Sequence, residues 1–133
     1  MLQFPLQCFE VTTKYPEEPE VIVSRREKTG REQAIICKLC GHRITSESAK
    51  IVVNDSHVHT FMNPAGIIYT FGCFQDAPGI TAVGTTSTEH TWFSGYSWQI
   101  LICSNCKEHL GWVFRDGDVF FALLVDKLTY YST

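Results

Sequence analysis

Two pairs of cysteines carry the chemistry that is easiest to read in this sequence. The first pair is Cys37 and Cys40, and the second, with the same Cys-x-x-Cys spacing, is Cys103 and Cys106. Such a turn directs two thiolates at one point, and two turns together complete the closed tetrahedral site of a structural Zn²⁺ ion. Disulfides and four buried thiols are the alternatives, but paired cysteines in a reducing compartment more often bind metal. The sequence therefore predicts one structural zinc ion as the cofactor.

The residue that follows each cysteine pair bears on this geometry. Gly41 follows the first pair, and a residue that is free to take a positive φ there lets backbone N–H groups face the sulfurs. Lys107 stands at the corresponding position after the second pair. The long interval between the pairs predicts that a whole sheet separates the two half-sites, so that zinc ties distant strands together.

All three tryptophans of the chain lie near the second cysteine pair, at Trp92, Trp98 and Trp112. Clustered aromatic residues in a small β domain usually form its core. Here a polar stretch, residues 87–91, leads into the cluster, and Ser94-Gly95 interrupts the aromatic run. The indoles can therefore converge as the walls of a pocket.

Two kinds of ligand suit a pocket walled by indoles. A flat neutral ring would bind by stacking, and a quaternary ammonium group would bind by cation–π attraction. The ammonium ligand normally needs a neighbouring carboxylate, which Glu89 or Asp116 can supply. The residues by themselves leave these two alternatives open.

The elements that position these residues read as short β-strands bounded by Gly, Pro, Asn or Asp. Strands are predicted over residues 49–53, 58–61, 67–73, 96–102, 112–114 and 119–125. Large apolar groups at alternate positions place Tyr96 and Trp98 on one face of a strand that enters the second cysteine pair. The turn at residues 115–118 makes Trp112 to Val125 a hairpin. We expect an all-β fold of antiparallel sheets pinned by zinc.

Composition limits the classes of partner. The chain has 133 residues, as expected for one domain, and a formal net charge of −3. Most of its lysines and arginines fall in the first fifty positions, which argues against a nucleic-acid polymer as partner. No secretory leader and no membrane-spanning run is seen, so we expect a cytoplasmic protein without a membrane partner. Residues 1–32 read as an N-terminal extension in which Val21–Ser24 can form a strand.

Four longer stretches of the sequence resemble the CULT domain, the thalidomide-binding domain of cereblon. They are His57–Gly66, Cys73–Gly79, Ser87–Trp98 and His109–Trp112, and both cysteine pairs fall in register with the family. The likeness runs from about Ile36 to Leu128, which places the domain at residues 33–133. The resemblance implies two antiparallel sheets that meet at an angle, called a β-tent, with one structural zinc.

The resemblance also implies roles for single residues. Trp92, Trp98 and Trp112 match the walls of the family's tryptophan cage, and Phe114 matches its support. In the family the cage holds a cyclic imide, whose ring N–H meets the backbone carbonyl at the position of His90 and whose carbonyl meets the backbone N–H at that of Trp92. The His90 side chain is a further hydrogen-bonding group for a ligand carbonyl.

Asn63 matches a residue on the rim of the family's ligand site. The ligands implied for this chain are cyclic imides such as glutarimide and thalidomide-type drugs, imide-terminated peptides, and uracil- or uridine-like rings. The chain lacks the Lon-like domain and the helical segment through which cereblon engages its ubiquitin-ligase adaptor, so we expect no ligase-adaptor surface.

Enzymatic alternatives are weaker. Methionine sulfoxide reductases of the B type have a similar sheet architecture and two Cys-x-x-Cys pairs, but they need a nucleophilic cysteine near the C-terminus. The last cysteine here is Cys106, which belongs to the metal pair, and of the spare thiols Cys8 and Cys73 the second falls in an apolar run. An imide hydrolase would need an activated water, and the histidines read as structural. We therefore predict no catalytic residue and a binding module that is not an enzyme.

Overall fold

Nine β-strands make up almost all of the regular structure in residues 33–131, the part of the chain that the computed structural model describes. The strands are β1 (Ala34–Cys37), β2 (Arg43–Ser46), β3 (Val58–Met62), β4 (Ile68–Phe74), β5 (Ile80–Ser87), β6 (Ser97–Cys103), β7 (His109–Asp116), β8 (Asp118–Leu124) and β9 (Leu128–Tyr130). The helical segments within this part are two 3₁₀ turns, Glu47–Ala49 and Val125–Lys127. No helix in the described residues is long and apolar enough to cross a membrane.

The strands form two antiparallel sheets. The smaller sheet has the order β9-β1-β2, and the larger has the order β3-β4-β8-β7-β6-β5. Every neighbouring pair of strands runs antiparallel. The prediction of an all-β fold with two antiparallel sheets is confirmed for the described residues.

The strands that carry the aromatic residues form as their alternation predicts. In β6 and β7 Trp98 lies opposite Phe114, and in the hairpin of β7 and β8 Trp112 lies opposite Ala122. Gly117 joins β7 to β8 with φ +74°, a conformation that glycine adopts without the steric cost of a Cβ atom. The hairpin predicted between Trp112 and Val125 is confirmed, and β7 begins three residues earlier than expected, at His109.

One predicted strand is wrong, and four observed strands were not predicted. Residues 49–53 form the end of a 3₁₀ turn and isolated bridges, in which Lys50 pairs with Phe74 and Val53 with Ser56. The unpredicted strands are β1, β2, β5 and β9. β1, β2 and β9 have only three or four residues each, so alternation cannot identify them. These short strands are stabilised by pairing, since β1 forms hydrogen bonds with both β2 and β9.

The core between the two sheets is mainly aliphatic, with Phe74 buried among the aliphatic side chains. Ile35 and Ile44 from the smaller sheet pack with Leu101, Val113 and Leu123 from the larger sheet, and all five are buried. Alternation along β6, β7 and β8 sends Trp98, Trp112 and Ala122 to the opposite face, where a second cluster forms. The larger sheet therefore has one face that supports the fold and one aromatic face.

A close backbone approach joins the sheets near the entry to β5. The Gly79 N–H donates to the Ile44 carbonyl at 3.0 Å. A Cβ atom built on Gly79 would lie 2.0 Å from the Arg43 carbonyl oxygen, so only glycine fits there. The predicted extension, residues 1–32, and with it Cys8 and the strand at Val21–Ser24, lies outside the described residues, and the division at residue 33 stays a prediction.

Candidate functional site

The two cysteine pairs converge on one point. The sulfurs of Cys37, Cys40, Cys103 and Cys106 all lie within 4.8 Å of one another. The Cys37 and Cys106 sulfurs are 3.7 Å apart, and the Cys40 and Cys103 sulfurs are 3.6 Å apart. Among the described residues Cys37 and Cys103 are buried and their partners are half-buried. This arrangement can hold one metal ion.

Both cysteine turns have the same backbone form. The Gly41 N–H donates to the Cys37 carbonyl at 2.8 Å, and the Lys107 N–H donates to the Cys103 carbonyl at 2.9 Å. Gly41 has φ +80° and Lys107 has φ +68°. The second turn therefore adopts the left-handed conformation without a glycine, at the steric cost that a Cβ atom brings.

Hydrogen bonds favour the thiolate form of Cys40. The Asn105 side chain donates to the Cys40 sulfur and, together with the backbone N–H of His42, lowers the pKa of Cys40 from its ordinary 9.0 to about 6. The thiolate is the form that binds metal.

Beside the second pair, Lys127 forms an ion pair with Glu108. The Lys127 carbonyl accepts a hydrogen bond from the Lys38 N–H at 2.9 Å, so Lys127 bridges the first cysteine turn and Glu108, which follows the second.

Trp92 lies in the loop between β5 and β6, is half-buried, and packs against the aromatic face. Its ring stacks on Phe61 at 5.4 Å and 9°, and on Phe71 at 5.7 Å and 14°. It also meets Trp112 edge to face, with ring centroids 4.9 Å apart. The Trp92 Nε1–H donates to the Met62 carbonyl at 3.3 Å. The loop is thereby fixed against the β3–β4 hairpin.

Trp98, Trp112 and Phe114 share the aromatic face through the β6–β7 pairing. Trp98 is half-buried, and its Nε1–H donates to the Glu89 carbonyl at 2.8 Å. Trp112 and Phe114 are buried. Phe114 contacts Phe93 edge to face with ring centroids 4.9 Å apart. Trp92 and Trp112 thus touch directly, while Trp98 joins them through the shared cluster.

The loop between Ser87 and Trp92 holds two backbone groups that have no hydrogen-bond partner in the described part of the chain, the His90 carbonyl and the Trp92 N–H. His90 has φ +56° and is exposed, and such non-glycine residues often mark functional positions. Glu89 is also exposed, and its backbone N–H donates a hydrogen bond to the Ser87 hydroxyl at 3.0 Å. Its carboxylate forms no ion pair within residues 33–131. Its observed contact with the cluster is therefore through its backbone.

Asn63 lies at the start of the loop that joins β3 to β4. Its side-chain oxygen accepts hydrogen bonds from the N–H groups of Ala65 at 3.0 Å and Ile67 at 2.9 Å. Its side-chain amide nitrogen donates to no described residue. Asn63 directly follows Met62, whose carbonyl binds Trp92, so its loop adjoins the tryptophan cluster.

Relatives of known identity match the part of the chain that contains both sites. The cereblon protein of Drosophila grimshawi is 33% identical over 104 residues, which cover 70% of this chain and 15% of the relative. Cereblon of Danio rerio is 31% identical over 83 residues, covering 61% and 19%. Cereblon of Gallus gallus is 41% identical over 54 residues, covering 41% and 12%. The chain carries a cereblon-like CULT domain.

The chain thus spans less than a fifth of the length of these cereblon proteins. No protein-family model matches it. Among solved structures, the Mis18 "Yippee-like" domain resembles the CULT domain with a TM-score of 0.53 at 16% identity, covering 77% of this chain and 98% of that one. At that identity the likeness concerns the fold alone.

Three histidines of the CULT domain bind backbone carbonyls, as predicted for structural histidines. His57 donates to Ile51 at 3.0 Å, His59 donates to Val53 at 2.9 Å, and His109 donates to Gly111 at 3.1 Å. Burial lowers the pKa of His57 and of His109. For His57 and His109 this shift favours the neutral imidazole, which donates to the carbonyl.

Cys73 matches the prediction of an inert thiol. It is fully buried, and burial raises its pKa. A thiol in this state is a poor nucleophile.

Sequence reasoning missed the residues that support Trp92. Phe61, Phe71 and Tyr69 contact its ring from β3 and β4, and Tyr69 also meets Trp112 edge to face at 4.9 Å. The available signal was the alternation of Tyr69 with Phe71 along β4. Their contact with a tryptophan more than twenty positions later has no local signature.

Proposed function

We propose that this CULT domain is a binding module that holds a small neutral cyclic imide, or a uracil-like ring, against Trp92, Trp98 and Trp112. The observation that carries the proposal is a pair of backbone groups beside these rings, the His90 carbonyl and the Trp92 N–H, that have no hydrogen-bond partner within residues 33–131. An imide edge presents acceptor, donor and acceptor in sequence, and one acceptor and the donor match these two groups. The saturated carbons of a glutarimide would lie against the indoles.

Several ligands share this imide edge. Glutarimide compounds, thalidomide-type drugs, uridine and peptides that end in a cyclic imide all present it. A glutarimide has few heavy atoms, so about 0.3 to 1.5 kcal/mol per atom spans roughly −2 to −12 kcal/mol, and we expect binding near about −8 kcal/mol, or roughly micromolar affinity. Additional contacts, such as one from the Asn63 side-chain amide, would be needed for tighter binding.

The competing function is recognition of a methylated ammonium group. It would use the same rings by cation–π attraction and would benefit from a carboxylate at the cage. Glu89 is exposed and contacts the cluster through its carbonyl, which favours the neutral ligand.

A titration of tryptophan fluorescence separates the two functions. Uridine and glutarimide should quench the emission in a saturable way, and a trimethyllysine peptide should not. N-Methylglutarimide is the matched control, because methylation removes the ring N–H that the His90 carbonyl would accept. Quenching by the ammonium peptide alone would show that the imide proposal is wrong.

We infer that the metal is zinc. A Zn–S bond of about 2.3 Å in a tetrahedron requires sulfurs about 3.8 Å apart. Two sulfur pairs lie 3.6 and 3.7 Å apart, and all four sulfurs lie within 4.8 Å of one another. The four thiolates would close the site without an open position, so the ion would be structural. Reduced thiols fit the expected cytoplasmic location of the protein. Fluorescence microscopy of the tagged full chain in cells would test this location.

We further propose that the module is not an enzyme and that its partners are small molecules or peptide termini. The sulfurs of Cys37, Cys40, Cys103 and Cys106 converge on one site, and Cys73 is buried, which leaves no described cysteine as a nucleophile. A net charge of −3 does not favour a nucleic-acid polymer. Mass-spectrometric analysis of uridine and glutarimide after long incubation with the protein should recover both unchanged.

A further inference from the structure

The edge strand β3 presents backbone groups that no other described strand pairs, and the loop that carries Trp92 hydrogen-bonds only its Met62 end. β3 (Val58–Met62) lies at the end of the larger sheet and pairs, among the described strands, with β4 alone. Natural sheet edges are commonly protected by charged residues, proline or a bulge. β3 has none of these, since its register with β4 is continuous and residues 56–75 contain no Asp, Glu, Lys or Arg.

The hydrogen bonds to β4 determine which backbone groups face outward. Cys73 N–H donates to the His57 carbonyl, and Asn63 N–H donates to the Ile67 carbonyl, both at 2.9 Å. In an antiparallel pair, residues that bond the neighbour alternate with residues whose groups point away. The residues whose N–H and C=O groups point away from β4 are Val58, Thr60 and Met62.

Most of these outward groups lack a partner within residues 33–131. The Val58 carbonyl accepts the Ser56 hydroxyl at 2.7 Å, and the Met62 carbonyl accepts the Trp92 Nε1–H at 3.3 Å. Each of these oxygens has a second lone pair. Both backbone groups of Thr60 and the N–H groups of Val58 and Met62 are free of described partners.

The side chains along the same edge are apolar and exposed. Val58 is 47% exposed, Met62 is 61% exposed, and Ile68, which pairs with Met62 on β4, is 67% exposed. Thr60 and Thr70 lie between them and share a hydrogen bond at 2.9 Å. An apolar strip therefore runs beside the backbone groups that have no described partner.

We propose that two copies of this chain pair antiparallel through β3, with a two-fold axis at Thr60. In this register Thr60 faces Thr60 of the partner copy, and Val58 faces Met62 of the partner copy. Each outward N–H then meets an outward carbonyl, and apolar side chains meet apolar side chains. A second copy fits because the strand is uncharged, so the two copies do not repel each other. The two larger sheets would become one continuous sheet.

Charge substitutions at the facing positions test both the pairing and its register. The full chain should show a concentration-dependent monomer–dimer equilibrium in sedimentation velocity. Val58→Lys with Met62→Lys places like charges opposite each other and should raise the dissociation constant at least about tenfold. Val58→Glu with Met62→Lys places opposite charges together and should bring the dissociation constant back toward the wild-type value. Val119→Lys, at an exposed apolar position on β8, is the matched control and should leave dimerisation unchanged.

Thr60→Pro tests the backbone pairing separately. Its N–H points away from β4, so proline is tolerated in the monomer at this edge but removes the central hydrogen bonds of the dimer. Metal content and tryptophan emission report that each variant is folded. A wild-type chain that stays monomeric up to high micromolar concentration would overturn the proposal, as would a dimer that persists in both the double-lysine and the proline variants.

Discussion

The indole rings of Trp92 and Trp112 meet edge to face, with their centroids 4.9 Å apart and their planes at 80°. One ring comes from the loop after β5 and the other from the middle of β7. Trp92 is further stacked on Phe61 and Phe71. This contact makes Trp92 part of the packing as well as a candidate ligand contact, whereas Trp98, also half-buried, makes no ring contact with the described residues.

Alanine at Trp92 and at Trp98 should therefore have different effects. Both substitutions should abolish measurable quenching by glutarimide while metal stays bound. Trp92→Ala should also lower the free energy of unfolding by about 2 to 4 kcal/mol, because a stacked aromatic side chain is lost, and Trp98→Ala should lower it by less. Urea denaturation and calorimetric titration measure the two effects. Gln99→Ala, on the opposite face of β6, is the control, and retained binding by Trp98→Ala would move the site elsewhere.

Two substitutions at Asn63 separate its structural role from its ligand role. Asn63→Asp keeps a side-chain oxygen for the N–H groups of Ala65 and Ile67 but removes the amide donor. It should leave stability nearly unchanged and weaken binding of a thalidomide-type ligand several-fold. Asn63→Ala should reduce both. If the aspartate variant binds as tightly as wild type, Asn63 acts only by holding the loop.

Loss of one metal ligand should unfold the domain. Cys103→Ser should abolish stoichiometric metal and yield little folded protein, because structural zinc contributes apparent binding energies on the order of 10 kcal/mol. Metal analysis after dialysis should find one zinc per wild-type chain. Cys73→Ala removes a buried thiol away from the metal site and should retain full metal content. A folded, metal-free Cys103→Ser protein would contradict the structural role.

The close approach at Gly79 predicts a sensitive position between the sheets. Gly79→Ala would place a Cβ atom against the Arg43 carbonyl oxygen and should destabilise the domain by at least about 1 to 3 kcal/mol. Gly84→Ala is the control: a Cβ atom there meets open space, so only its positive φ costs energy, about 1 kcal/mol. If thermal denaturation shows that Gly79→Ala and Gly84→Ala lose the same amount of stability, the two sheets can separate locally at Gly79 without cost.

Stability should decrease in mild acid partly because of His57 and His109. Burial lowers the folded-state pKa of both below the ordinary 6.5, so the folded state binds protons less readily than the unfolded chain. The stability that this difference contributes is complete above pH 6.5 and is lost as the pH falls below it. In His109→Gln the urea midpoint of unfolding should decrease less steeply as the pH falls, when wild type and variant are compared at equal metal content. A slope as steep as that of wild type would assign the acid sensitivity to other groups.

Much of the site was predictable because its signals are local. A Cys-x-x-Cys turn needs only four consecutive residues, so each half of the metal site is readable by itself. Alternation places Trp98 on a strand face, and the turn before Asp118 predicts the hairpin that carries Trp112 and Phe114. These features depend on backbone geometry within one or two strands.

Only the tertiary structure decided how these parts meet. Cys37 and Cys106 converge because β1 and the end of β6 belong to different sheets that pack together, and β1, β2 and β9 are too short to be recognised except by their pairing. The stacking of Trp92 on Phe61 and Phe71 arises in the same way, from contacts between segments far apart in sequence. The sequence by itself thus determined the chemistry of the donors and rings, and long-range strand pairing decided their assembly, because pairing energy depends on partners that no local pattern identifies.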